Sequence, residues 1–191
     1  MTLFRGVASF YARFRAGYPQ ALFDHLIAVF ELDATTLVVD AGTGTGQLAI
    51  PLAARGVPVL AFDPEPEMLA EARARAVAAR PPGRIAFVEG RAEDLLELAP
   101  PPVRLVAFGA SFHWTDRDRV LALCDQLVEP RGGVAVISGG PAVTPAWSRV
   151  VDEVVATFLG PRRRAGDGFY EHPPERHEQV LARSALSLIH I

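Results

Sequence analysis

Leu37-Val38-Val39-Asp40-Ala41-Gly42-Thr43-Gly44-Thr45-Gly46-Gln47-Leu48 is the stretch that decides the fold. An apolar run ends in a carboxylate, three glycines follow at alternate positions, and a helix-like segment begins. This is the join between a buried strand and a helix. Its loop is stripped of side chains where a ligand can touch backbone. Gly42 and Gly44 let the chain turn tightly and approach a ligand, and Gly46 allows close strand–helix packing. Dinucleotide loops use the same physics with the spacing G-x-G-x-x-G. The spacing here is G-x-G-x-G, and Asp40 directly precedes it. A carboxylate in that position repels a pyrophosphate and can organise a cationic amino acid. A turn with a purely structural role is the alternative.

Outward from this loop, short apolar runs alternate with amphipathic segments. Strands are expected at 37–40, 57–62, 85–88, 103–108 and 134–138, and helices at 21–32, 47–55, 65–80 and 116–128. Gly56, Pro81-Pro82-Gly83 and Glu129 to Gly133 break the elements. The strand runs are continuously apolar, as in parallel strands covered on both faces. The pattern predicts an α/β fold with a doubly wound, mainly parallel, Rossmann-like sheet. Beyond Gly140 a helix is expected over 145–159, an exposed loop over 160–175, and a last apolar strand over 185–191.

The 191 residues suffice for one domain; half are hydrophobic and 21% charged, as in an ordinary globular chain. No apolar run reaches membrane-span length, and Met1 to Arg5 lacks a signal peptide's pattern, so a cytoplasmic location is expected. Cys124 is the one cysteine; it reads as buried filler and fits a reducing compartment. The net charge of −3, without a basic stripe, argues against a nucleic-acid partner. The 19 basic residues are all arginine, which with abundant alanine suits a GC-rich bacterial genome.

Asp63 ends the second strand, and an acid there can accept both hydroxyls of a ribose. It could equally cap the helix from Glu65 onward. Gly109 to Asp116 follows the fourth strand at its carboxyl end, where ligands of open α/β sheets bind.

Four stretches in this order resemble the motifs of class I S-adenosylmethionine-dependent methyltransferases. They are the glycine loop, Asp63-Pro64-Glu65-Pro66-Glu67-Met68-Leu69, Glu89-Gly90-Arg91-Ala92-Glu93-Asp94-Leu95, and the His113-Trp114 pair. The pair, and Phe10-Tyr11-Ala12-Arg13-Phe14-Arg15-Ala16-Gly17-Tyr18-Pro19, is similar to a small-molecule subgroup that includes trans-aconitate methyltransferase-like proteins. The resemblance implies S-adenosylmethionine as cofactor, held by Arg15, Asp40, Gly42, Thr43, Gly44, Gln47, Asp63, Pro64, Met68, Ala92, Glu93 and Ala110. Met68 would lie against the adenine, and backbone near Ala92 with Glu93 would read the adenine amino group. Arg91 stands where the family more often has aspartate. Arg15 would pair with the methionine carboxylate. Tyr11, His113 and Trp114 would face the substrate, with His113 as the catalytic candidate that orients a nucleophile or removes its proton. No metal is implied.

The expected activity is direct displacement of the methyl group by a small-molecule acceptor. Neither the D/N-P-P-Y/F/W motif of amino-methylating DNA enzymes nor a Pro-Cys nucleophile occurs. A nicotinamide-dependent oxidoreductase and a non-catalytic cofactor-binding remnant are the alternatives. The domain reading is a single methyltransferase domain over 1–191, with a helical lid over 1–30, a cofactor-binding core over 35–140 and an incomplete C-terminal part over 141–191. The family usually adds strands six and seven, so the chain is expected to be C-terminally shortened. Its last strand, 186–191, would be an apolar edge able to pair in a homodimer.

Overall fold

The computed structural model describes residues 6–138, 146–160, 164–165, 168–169 and 175–186. Five strands, β1 (Val38–Ala41), β2 (Val59–Asp63), β3 (Ile85–Glu89), β4 (Val103–Gly109) and β5 (Val128–Ile137), form one sheet in the order β3-β2-β1-β4-β5. Every neighbouring pair is parallel. The chain therefore steps outward from β1 to one edge, returns, and steps outward to the other. The reversal lies between β1 and β4, so the loops after these strands part and leave a crevice at their carboxyl ends.

The apolar strand runs make sense once both faces are counted. Val39, Ala41, Leu60, Phe62, Val106 and Phe108 point to one core, and Val38, Val59, Ala61, Leu105 and Ala107 to the other. Strand side chains alternate between faces, so a strand covered on both sides must be apolar at every position. The first core is closed by α5 (Leu95–Leu98), α6 (Arg117–Leu127) and α8 (His177–Ala182), through Leu95, Val120, Leu121, Cys124 and Val180. The second is closed by α2 (Gln20–Phe30) and α3 (Ala49–Ala53), through Phe23, Leu26, Leu52 and their neighbours. Burial of Cys124 pushes its thiol up to about 12, which suits filler rather than a nucleophile.

Two more helices frame the site. The helix α1 (Ala8–Phe14) lies against α4 (Pro66–Ala79), and the Gly6 N–H donates to Glu67 Oε2 at 2.5 Å. Proline at the first position of α4 costs no hydrogen bond, because that N–H has no partner within a helix.

The elements differ from the sequence expectation in several places. The strand β5 begins at Val128 and runs through the glycine-rich stretch read as a break. It does so across a register shift, Val103 facing Val128 and Leu105 facing Gly133. The loop expected over 160–175 holds a short antiparallel pair, β6 (Arg164–Ala165) and β7 (Gly168–Phe169). The helix α7 spans Ser148–Leu159, three residues later than expected at its start, and α8 was not anticipated. Of the expected last strand, Ala185 and Leu186 form a bend, with Leu186 packed against the first core; 187–191 lie outside the described residues. The proposed dimer edge falls there too. Among the described residues, no helix is long and apolar enough to cross a membrane.

Candidate functional site

The glycine loop is fixed by backbone before any ligand arrives. The N–H groups of Gly42 and Thr43 both donate to the Phe62 carbonyl at 2.9 Å, pinning the loop across the end of β2. The three glycines serve different ends. Gly42 has φ +74, and a Cβ there would lie 2.6 Å from Ser111 Cβ. Ser111 cannot yield easily, because its Oγ donates to the Ala41 carbonyl at 2.6 Å. The smallness of Gly42 thus serves the packing of the β1 loop on the β4 loop as well as the cleft it lines. Gly46 has φ +85, and a Cβ there would lie 2.8 Å from Ile50 Cδ1 and 3.6 Å from the Ala72 methyl, so its smallness serves the close packing its position suggested. Gly44 is the bare one: an added Cβ would meet only Gln47 Oε1 and Tyr11 Cε1, each at 3.9 Å. Its backbone lines the cleft, with the N–H given to Asp63.

Two aspartates end neighbouring strands and divide the electrostatics. Asp40 is 1% exposed. Its Oδ2 accepts the Thr43 hydroxyl at 2.6 Å and the Ala49 N–H at 3.1 Å. Burial dominates those bonds and, with Asp63 nearby, pushes the carboxyl up to about 7. Asp63 accepts the Gly44 N–H on Oδ2 at 2.8 Å and the Glu65 N–H on Oδ1 at 2.9 Å. Burial raises its pKa as well, and the two N–H groups oppose the rise. Asp63 therefore ties the glycine loop to the start of α4. It is not the helix cap, which is Glu65.

These groups converge on a cleft of about 180 Å³. Arg15, Asp40, Gly42, Thr43, Gly44, Gln47, Asp63, Pro64, Met68, Ala92, Glu93 and Ala110 all line it, as do Tyr11 and Trp114. Gln47 Nε2 is buried and has no hydrogen-bond partner among the described residues. Ala110 sits at φ +54, an uncommon backbone state for alanine, while its N–H donates to the Ile137 carbonyl at 2.8 Å. Burial opposes ionisation of Glu93, but the Asp116 N–H and Arg91 outweigh it and hold the carboxyl below its usual range.

His113 is the exception. It does not line the cleft. It belongs to a 3₁₀ turn, Phe112–Trp114, whose successive side chains point about 120° apart. Phe112 is buried and Trp114 reaches the cleft. The His113 ring stacks toward His177, with centroids 6.3 Å apart. His177 in turn faces Arg117, with 3.3 Å between Nδ1 and Nη1; burial first, then that cation, lowers its pKa. Of the pair expected at the reactive centre, Trp114 lines the cleft and His113 stands next to it in the turn. Among the described residues, no group of three potential metal ligands occurs.

The lining also includes residues not named as candidates, among them Tyr18, Glu65, Ser111 and Thr115. Tyr18 lies inside the quoted N-terminal stretch. Burial, reinforced by Asp40, pushes its phenol up to about 12, with Arg15 beside it opposing the shift. The signal for Ser111 was its place two residues after β4, across the reversal from the glycine loop.

Residues 38–132 match a family described as a methyltransferase domain. The uncharacterized methyltransferase Rv3342 of Mycobacterium tuberculosis H37Rv is 31% identical over 153 residues, 80% of this chain and 58% of that protein. The chain thus spans little more than half the length of that curated relative. The tRNA 5-carboxymethoxyuridine methyltransferase of Escherichia coli K12 is 32% identical over 101 residues, 52% of this chain and 39% of that protein. Among solved structures, the CcbJ methyltransferase of Streptomyces caelestis has a TM-score of 0.59 at 24% identity, covering 71% of this chain and 57% of that one. That likeness speaks for the fold.

Proposed function

We propose, since the chain belongs to the class I S-adenosylmethionine-dependent methyltransferases, that it transfers a methyl group from that cofactor to a small-molecule acceptor. The observation that carries this reading is the buried, unpartnered Gln47 amide beside the bare backbone of Gly44. A buried donor without an acceptor costs about 1–3 kcal/mol, so the site is built for a ligand that supplies one. The amino-acid portion of S-adenosylmethionine does.

The rest of the cleft fits the same ligand from end to end. Gln47 Nε2 and the Arg15 guanidinium would donate to its carboxylate. Asp40 would set a negative charge beneath its cationic part. Asp63 keeps free lone pairs after its two backbone bonds and would accept the ribose hydroxyls. Pro64, Met68 and Ala92 would flank the base. When bound, the cofactor supplies an electrophilic methyl group on a sulfonium. The protein's part is to hold the acceptor in line and keep water out. Tyr11 and Trp114 would form that wall. No proton transfer is given to His113, which is not among the residues lining the cleft. The nicotinamide and non-catalytic alternatives draw no support from the matched relatives, which are named as methyltransferases.

The small-molecule acceptor and a cytoplasmic location are part of this proposal. The acceptor class rests on the acidic net charge and the lack of a basic stripe, and the location on the single cysteine, which fits a reducing compartment. The test is transfer from methyl-labelled S-adenosylmethionine, incubated with the intact chain and either a low-molecular-weight extract or bulk tRNA. Label in the small-molecule fraction alone supports the proposal. Label in tRNA, the acceptor named for the Escherichia coli relative, would overturn the acceptor class.

A further inference from the structure

The end of the cleft beyond Asp63 carries an unusual pair of side chains. Asp63 pairs with Glu89 in the β2–β3 register, and the Gly90 N–H donates to the Asp63 carbonyl at 3.2 Å. A ribose held by Asp63 therefore directs its base toward the loop that follows β3. Met68 and Ala92, 2% and 7% exposed, offer apolar faces there. The polar edge consists of Arg91 and Glu93, both lining the cleft.

These two groups offer opposite hydrogen-bonding characters. A guanidinium only donates and a carboxylate only accepts. Glu93 is partly committed: Oε1 takes the Asp116 N–H at 2.9 Å, and Oε2 faces Arg91 Nε at 3.5 Å. The Arg91 side chain is 66% exposed, and its Nη donors have no partner among the described residues. An exposed ion pair of that length is worth little and is cheap to rearrange. An incoming base edge can thus meet either an acceptor or a donor.

We propose that Arg91 sets the base specificity of this cleft, so that the Arg91–Glu93 pair admits a 6-oxopurine nucleoside as readily as a 6-aminopurine one. The proposal rests on the cofactor reading of the cleft. The six-position amino group of adenine donates and would be met by Glu93. The six-position oxygen of hypoxanthine accepts and would be met by Arg91. With an acid in place of Arg91, only the amino form would be matched.

Calorimetric titration of the intact chain with S-adenosylhomocysteine, and with its deaminated counterpart S-inosylhomocysteine, tests this. The expected result is dissociation constants within about fivefold of each other. Arg91→Asp should then raise the preference for the amino form to tenfold or more, since a hydrogen bond to a charged group is worth at least that factor. Arg91→Ala, which only trims an exposed side chain, should shift the ratio in the same direction by about threefold. It decides the matter if the aspartate variant does not fold. A preference for the amino form above fivefold in the unaltered chain, or a ratio unmoved by either substitution, overturns the proposal. If neither compound binds the unaltered chain, the cofactor reading fails first and the proposal falls with it.

Discussion

The two walls of the cleft are made in different ways. One wall, from Asp40 through the glycine loop to Asp63 and Met68, is built of backbone held by backbone and by two buried carboxylates. The Phe62 carbonyl, Asp40 and Asp63 between them take up six donors of the loop and the helix starts beside it. The other wall is built of side chains that reach in from the surface. Tyr11 comes from the middle of α1 and Arg15 from its C-terminal cap, Arg91 and Glu93 from the segment after β3, and Trp114 from the turn after β4. Trp114 is 36% exposed, and Arg15 lies with its guanidinium 5.9 Å from the centre of the Tyr11 ring. The first wall cannot change shape without disturbing the sheet. The second can exchange its side chains at little cost to the fold.

The sharpest way to break this contrast is Gly42→Val. On the backbone wall a β-branched side chain would collide with Ser111 and strain a positive φ. Overpacking and backbone strain together should cost about 3 kcal/mol or more, read as a large fall in the urea midpoint. A variant that melts like the unaltered chain would show that the β1 and β4 loops are not locked together.

Asp63→Ala is next. It should weaken S-adenosylhomocysteine by roughly ten- to a hundredfold, because the ligand loses a charged acceptor and the loop loses the group that orients the Gly44 N–H. Some loss of melting temperature should accompany it. An unchanged dissociation constant with lowered stability would reduce Asp63 to a brace between the loop and α4.

Asp40 gives a pH signature. Its folded pKa is raised to about 7 from an ordinary carboxylate value of 3.8. The folded state therefore binds the proton more tightly than the unfolded chain does. The stability this group contributes is greatest below about pH 4 and is lost as pH rises toward 7. Urea denaturation between those limits should show a decline with pH that Asp40→Asn removes. If the two profiles run parallel, the carboxylate is not as buried as the fold makes it. S-adenosylmethionine, as a cation, should also bind more tightly as pH rises through 7, because in the proposed site ionised Asp40 would lie beneath it.

The smallest effect belongs to the side-chain wall. Trp114→Ala should change stability by no more than about 0.5 kcal/mol and cofactor affinity by a few-fold, while transfer to the acceptor drops far more. A large loss of stability would place Trp114 in the core and remove the contrast.

The same division explains what the sequence disclosed. Glycines at alternate positions and an acid at each strand end are demanded by backbone geometry, so Asp40, Gly44 and Asp63 could be located from spacing alone. The parallel sheet was legible because strands covered on both faces must be apolar throughout. The side-chain wall obeys no such rule. His113 and Trp114 are adjacent, and nothing in their identity says which one the 3₁₀ turn aims at the cleft. Tyr18 and Ser111 lay inside stretches already singled out, but nothing in their identity set them apart there; Ser111 meets Gly42 only once the loops after β1 and β4 come together. The strand β5 was cut short in the reading because Gly132 and Gly133 resemble a turn. In the fold they permit close approach: a Cβ on Gly132 would fall 2.4 Å from the Arg104 carbonyl oxygen.

The central claim is that the backbone wall is a site for an S-adenosyl amino acid. Isothermal titration of the intact chain with S-adenosylhomocysteine, with NAD as the control, tests it most directly. One molecule of S-adenosylhomocysteine should bind per chain, and NAD should give no saturable heat. Saturable binding of NAD without binding of S-adenosylhomocysteine would contradict it.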